Sequence, residues 1–134
     1  MEQKKLDKND LVKVGSKEFA YLGDSVYETN IRKRLIMDGI LNVRELNRQS
    51  EIFVTASSQA KIFDALADVF TKSEQAVARR GRNTRIRHRA RSVDIATYRK
   101  ATALECIFGY LMLSGKEERI QELSDIIFDM VRKG

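Results

Sequence analysis

Two carboxylates lie on helical faces that are otherwise apolar. At about 100° per residue, Ala20, Tyr27 and Ile31 fall within about 60° of Asp24. By the same construction, Tyr98, Ala101, Phe108 and Met112 fall within about 60° of Glu105. The pattern turns each acid inward on its own helix. Burying a lone ionised carboxylate costs several kcal/mol unless a cation, hydrogen bonds or a raised pKa compensates. Two arrangements answer that need: a half-buried ion pair with one of the many arginines, or a divalent metal shared by both acids. Gly23 precedes Asp24, and Gly109 follows Glu105 by one helical turn. Glycine inside a helix costs about 1 kcal/mol relative to alanine, so each needs a reason. Close approach of two helices there brings the carboxylates together; ordinary helix packing explains the glycines equally well. A hard, oxygen-only site suits Mg²⁺, with Mn²⁺ able to substitute and waters completing the octahedron. Such an ion activates water and stabilises charge on a phosphoryl group.

The location of the charge points to the substrate. From Arg79 to Lys100 there are nine basic residues (Arg79, Arg80, Arg82, Arg85, Arg87, Arg89, Arg91, Arg99 and Lys100) and one acid, Asp94. That segment is +8 in a chain of net charge +6, so the remainder is slightly acidic. A nucleic-acid backbone is the natural partner of such a segment. Metal-assisted phosphodiester hydrolysis is the leading reading of the residues themselves.

Composition removes the other chemistries. A single cysteine, Cys106, excludes an internal disulfide framework and a multi-cysteine zinc site. One histidine, His88, makes any Ser-His-Asp or Cys-His centre depend on that residue alone, and it lies among the arginines. Cys106 reads as core packing, with no local sign of thiol activation. At 134 residues, with 43% hydrophobic and 33% charged residues, the chain is expected to fold as one domain over 1–134. No apolar run approaches a membrane span, and the start does not read as a signal peptide, so a cytoplasmic protein without membrane contact is expected.

The elements that must position the acids are all helical, because no stretch alternates with period two. A helix is expected from about Lys17 to Met37, capped by Ser16 and ended near Gly39. Asn42-Val43-Arg44-Glu45 fits a capping box opening a short helix. Apolar spacing predicts a third helix from about Thr55 to Arg79, then a basic loop at about 79–93. Two more helices follow, Asp94 to Leu113 and Lys116 to Arg132. The fold class is all-α.

The stretch Phe19-Ala20-Tyr21-Leu22-Gly23-Asp24-Ser25-Val26-Tyr27-Glu28 resembles the signature motif of the ribonuclease III catalytic domain. Residues 98–111, with Glu105 and Gly109, resemble that family's second acidic motif, and Arg79-Arg80-Gly81-Arg82-Asn83 resembles the basic loop of its short subfamily, Mini-ribonuclease III. The resemblance covers nearly the whole chain in order. It implies the ribonuclease III endonuclease-domain fold in a homodimeric, Mg²⁺-dependent endonuclease of double-stranded RNA, matching bacterial members that mature 23S ribosomal RNA. It carries Asp24 and Glu105 over as catalytic metal-site acids and Tyr21 as the aromatic that packs into the partner subunit. Arginine suits bidentate phosphate contact, so RNA contact is expected of Arg79, Arg80, Arg82, Asn83, Arg85, Arg87, Arg89 and Arg91, while Arg99 and Lys100, at the start of the Glu105 helix, either contact the scissile strand or form ion pairs. Ordinary ribonuclease III has two further acids where this chain has Ala20 and Thr102, as Mini-ribonuclease III does; one metal per site is the reading that follows. The rival class is a non-catalytic RNA-binding or ribosome-associated protein of the same fold, which leaves the two acids without a task.

Overall fold

The computed structural model describes residues 5–84 and 93–133, and all regular structure among them is helical. The elements are α1 (Lys8–Val12), α2 (Ser16–Met37), α3 (Val43–Val54), α4 (Ala56–Ala65), α5 (Lys72–Arg82), α6 (Ile95–Leu113) and α7 (Glu117–Lys133). The expected all-α class is borne out.

Helix α6 is the axis of the fold. Ala103, Leu104, Cys106, Ile107 and Phe108 follow one another with only Glu105 interrupting, and all five are fully buried. A helix apolar on every side has to be surrounded, and α2, α4 and α5 pack around α6. Helix α7 adds Ile120, Leu123, Ile127 and Phe128 to the same core, so its apolar stripe faces inward. Phe128 stacks on Phe53 of α3 at 4.3 Å, and the Tyr27 hydroxyl of α2 donates to the Phe53 carbonyl at 2.7 Å. Helices α2 and α6 end as the sequence predicts. Gly39 and Gly115 take the left-handed conformation (φ 99° and 71°), and Ile40 and Lys116 then bond back to the carbonyls of Leu35 and Leu111.

Four local expectations are corrected. The helix expected over Thr55 to Arg79 is two helices, α4 and α5, separated by a turn whose Leu66 and Phe70 side chains are buried. Burial keeps those positions apolar through the turn, which mimics helical spacing. The basic loop begins later than 79, because α5 continues through Arg82 with Arg79, Arg80 and Arg82 in its last turn, where cations suit the helix dipole. Helix α2 is preceded by Gly15 with no side-chain cap, and Ser16 instead meets the Thr84 hydroxyl. Asn42 caps α3 by accepting from the Glu45 N–H, but the Glu45 carboxylate turns to Arg48 and Gln49; the reciprocal box is at Thr71 and Glu74.

Candidate active site

Helices α2 and α6 cross with their backbones in contact. A Cβ on Gly23 would stand 1.6 Å from the carbonyl oxygen of Glu105, and one on Gly109 would stand 2.0 Å from that of Phe19. No other residue fits at either place. The sequence signal of two intrahelical glycines is therefore a close crossing, and it sets Asp24 and Glu105 side by side.

The acids sit at the edge of that crossing. Asp24 is exposed, not turned into the core as its helical face suggested: at its level of α2 it lines a depression open to solvent, although Tyr27, Ile31 and Leu35 on the same face are buried. Glu105 is half-buried. Burial, together with the charge of Asp24 and a hydrogen bond to it, pushes the Glu105 carboxyl up to about 8; Glu28 adds to the effect. The pair thus holds a proton near neutral pH when no cation is present. Burial and the charge of Glu105 also raise the Tyr27 phenol. Glu28, one turn beyond Asp24, was not singled out in the sequence, although its four-residue spacing from Asp24 was the available signal.

Ala20, Tyr21, Leu22, Asp24, Ser25 and Glu105 line one open depression. Tyr21 is 85% exposed on its rim, the most exposed large apolar side chain described. Two residues of nucleophilic type are near and both are committed. Ser25 Oγ donates to the Leu22 carbonyl at 3.1 Å. Buried Cys106 donates to the Ser16 carbonyl at 3.2 Å, and burial pushes its thiol up to about 12. Among the described residues no third His, Cys, Asp or Glu completes a ligand cluster. Thr102 bonds to the Tyr98 carbonyl at 2.9 Å and Ala20 is half-buried.

The candidate RNA-contact residues and His88 divide into three sets. Arg79, Arg82, Asn83 and Arg99 line a separate cleft between α4, α5 and α6. Arg80 and Lys100 have structural partners: Arg80 donates to the Val14 carbonyl at 2.9 Å and lies 5.7 Å from the Phe19 ring centre, and Lys100 pairs with Asp64 at 2.8 Å. Arg85, Arg87, Arg89, Arg91 and His88 lie outside the described residues.

The sequence pattern of the Ribonuclease III domain matches residues 17–116, from the start of α2 through the turn after α6. The chain belongs to the ribonuclease III family. As a ribonuclease III family member it is an endoribonuclease, a hydrolase of RNA. Its similarity within the family is to the short form, as the motifs led one to expect. It is 39% identical over 115 residues to a Mini-ribonuclease 3 of Symbiobacterium thermophilum, covering 86% of this chain and 88% of that one. It is 39% identical over 112 residues to a Mini-ribonuclease 3 of Brevibacillus brevis, covering 84% of each. A crystal structure of a Fusobacterium nucleatum protein superposes with a TM-score of 0.80 at 31% identity, covering 90% of this chain and 96% of that one. No described helix is long and apolar enough to cross a membrane.

Proposed function

We propose that this endoribonuclease is Mg²⁺-dependent, cuts double-stranded RNA as a homodimer, and acts on the 23S ribosomal RNA precursor in the cytoplasm. The observation that carries the metal and the chemistry is the meeting of Asp24 and Glu105 across the Gly23–Gly109 crossing. Two carboxylates that share a proton for want of positive charge fit a divalent cation, and an all-oxygen donor set favours Mg²⁺ or Mn²⁺ over softer metals. Asp24 and Glu105 are the residues that would hold it, directly or through water. When bound, the ion supplies an activated water and neutralises charge developing on the phosphoryl group. Ala20 and Thr102 leave the protein set at two acids, which supports one ion per site.

The chain's own residues divide the remaining work. Glu105 is fixed by its half-buried place on the central helix, while exposed Asp24 meets the RNA backbone from the rim. With Ser25 and Cys106 both committed, water is the nucleophile. Arg79, Arg82, Asn83 and Arg99, together with the arginines at 85, 87, 89 and 91, supply phosphate contacts in A-form RNA. Exposed Tyr21 beside the acids supports dimerisation: a two-fold partner packed there sets one acid pair against each antiparallel strand.

The test is cleavage of an end-labelled RNA duplex of about 30 base pairs with Mg²⁺ or with EDTA, beside Asp24→Asn and Glu105→Gln. Internal cuts that need Mg²⁺ and vanish in both variants, with folding and RNA binding retained, establish the reading. Binding without cleavage, on this duplex and on a structured ribosomal RNA, would replace it with an RNA-binding role.

A further inference from the structure

The cleft between α4, α5 and α6 shares no residue with the depression that holds the acids. Arg99 on its wall and Glu105 are six residues apart on α6, about 120° around the helix and about 9 Å along it. The cleft is therefore a second concavity beside the acid site. Its floor is Phe63 and Phe70, two largely buried rings whose centres are 5.5 Å apart. Its walls are Arg79, Arg82 and Arg99, and among the described residues no acid lines it. The Arg82 guanidinium lies 6.0 Å from the Phe63 ring centre. Arg79 and Arg99 have no hydrogen-bond or ion-pair partner among the described residues. Asp64, beside Phe63 in sequence, is occupied by Lys100 at 2.8 Å and does not cancel these charges.

A bare anion site needs donors and no apolar floor. This cleft combines three arginines with two aromatic rings, and it adds the amides of Gln75 and Asn83. Gln75 Nε2 donates to the Phe70 carbonyl at 3.1 Å, and among the described residues neither the Gln75 Oε1 nor the Asn83 side-chain amide has a hydrogen-bond partner. Charge beside a small apolar surface with a few convergent polar groups is the make-up of a site for a phosphorylated heterocycle. Bases within a duplex are stacked and paired, so a base reaches such a cleft only when it is unpaired.

We propose that this cleft binds a single unpaired nucleotide, with its phosphate on Arg79 and Arg99 and its base against Phe63 and Phe70 beside Arg82. The nucleotide comes either from an overhang or bulge next to the duplex, in which case the inference rests on the RNA-cleaving function, or from the free nucleotide pool.

The test has two arms, both in EDTA. In the first, the protein is titrated with AMP, adenosine and inorganic phosphate while its amide NMR signals are followed. AMP is expected to shift residues of α4, α5 and the start of α6, and to bind at least about tenfold more tightly than either part. In the second, affinity is compared for a blunt duplex and for the same duplex with a short unpaired extension. Ala67 is exposed at the cleft, and Ala67→Phe fills the space above Phe63 and Phe70 without removing a core side chain. This variant is expected to abolish AMP binding and any overhang advantage, read against its own blunt-duplex affinity, while leaving the melting temperature unchanged. AMP binding with an overhang advantage of about tenfold assigns the cleft to RNA ends, and AMP binding without one assigns it to free nucleotides. Inorganic phosphate matching AMP, loss of both effects in the native protein, or their survival in Ala67→Phe overturns the proposal. Cleavage of the blunt duplex with Mg²⁺ is read separately, so a failure of the nuclease reading is distinct from a failure of the cleft.

Discussion

Gly23 lies directly against the Glu105 carbonyl, so close that a methyl group on Gly23 would stand 1.6 Å from that oxygen. The contact is with backbone, which cannot rotate away as a side chain does. Gly23→Ala therefore forces α2 and α6 apart. The expected loss is about 3 kcal/mol or more, the upper end for overpacking. Because the same movement separates Asp24 from Glu105, the fraction that remains folded should also lose cleavage. Chemical denaturation checks the first effect, and single-turnover cleavage at a temperature where the variant is folded checks the second. A variant with native stability would mean the helices do not cross this tightly.

The Asp24–Glu105 pair makes stability depend on pH and on cation. The Glu105 carboxyl stands at about 8 in the fold, above its unfolded value, so the folded state binds the extra proton. Its contribution is full below the unfolded value of about 4.5 and is lost as pH rises through about 8. In EDTA, Glu105→Gln should match the native protein near pH 5 and exceed it above pH 8, by on the order of 2–4 kcal/mol. Saturating Mg²⁺ should close that gap by stabilising the native protein alone. Melting curves at several pH values with and without Mg²⁺ decide it, and a pH-independent difference would count against a shared proton.

Glu74 shows the opposite sign. It is 2% exposed, yet both of its oxygens are engaged by Arg119, and Oε1 also accepts from the Thr71 N–H. Burial alone would raise this carboxyl, but the guanidinium and the backbone bond outweigh it and hold it below the usual carboxylate range. Its stabilisation is present at neutral pH and fades as pH falls through that lowered value. Arg119→Ala leaves a buried carboxylate without its partner and should cost about 3–5 kcal/mol at pH 7. In that variant only the Thr71 N–H and the charge of Lys116 still oppose burial, so the carboxyl rises and the loss should shrink towards pH 4. Equal losses at both pH values would show that the packing of Arg119 matters and its charge does not.

The long helices and the site were legible in the sequence because their signals are local. Intrahelical Gly23 and Gly109 name the crossing, and the spacing around Asp24 and Glu105 puts both acids near it. Features that depend on distant residues were not legible. Arg80 reads as one of a row of arginines, and only the fold brings Val14 and Phe19 to it. The turn between α4 and α5 was hidden because Leu66 and Phe70 are buried within it, although Thr71-Lys72-Ser73-Glu74 carried a capping-box signal. The exposure of Asp24 depends on where the packing of α6 against α2 stops, which periodicity within α2 does not report.

The division among the arginines has a measurable consequence for RNA affinity. Arg79 has no partner among the described residues, so it is available to a phosphate, whereas Arg80 is held by the Val14 carbonyl and the Phe19 ring. If five or six arginines meet phosphates, log affinity should fall with log salt at a slope of roughly −4 to −5. Arg79→Ala should make that slope shallower by about 0.9 with little change in melting temperature. Arg80→Ala should leave the slope nearly unchanged and cost about 1 kcal/mol of stability, through one hydrogen bond and one cation–ring contact. Mobility-shift titrations across salt with an uncleaved duplex in EDTA, beside thermal melts, separate the two roles. The opposite pairing would return Arg80 to the RNA-contacting set and give Arg79 the structural part.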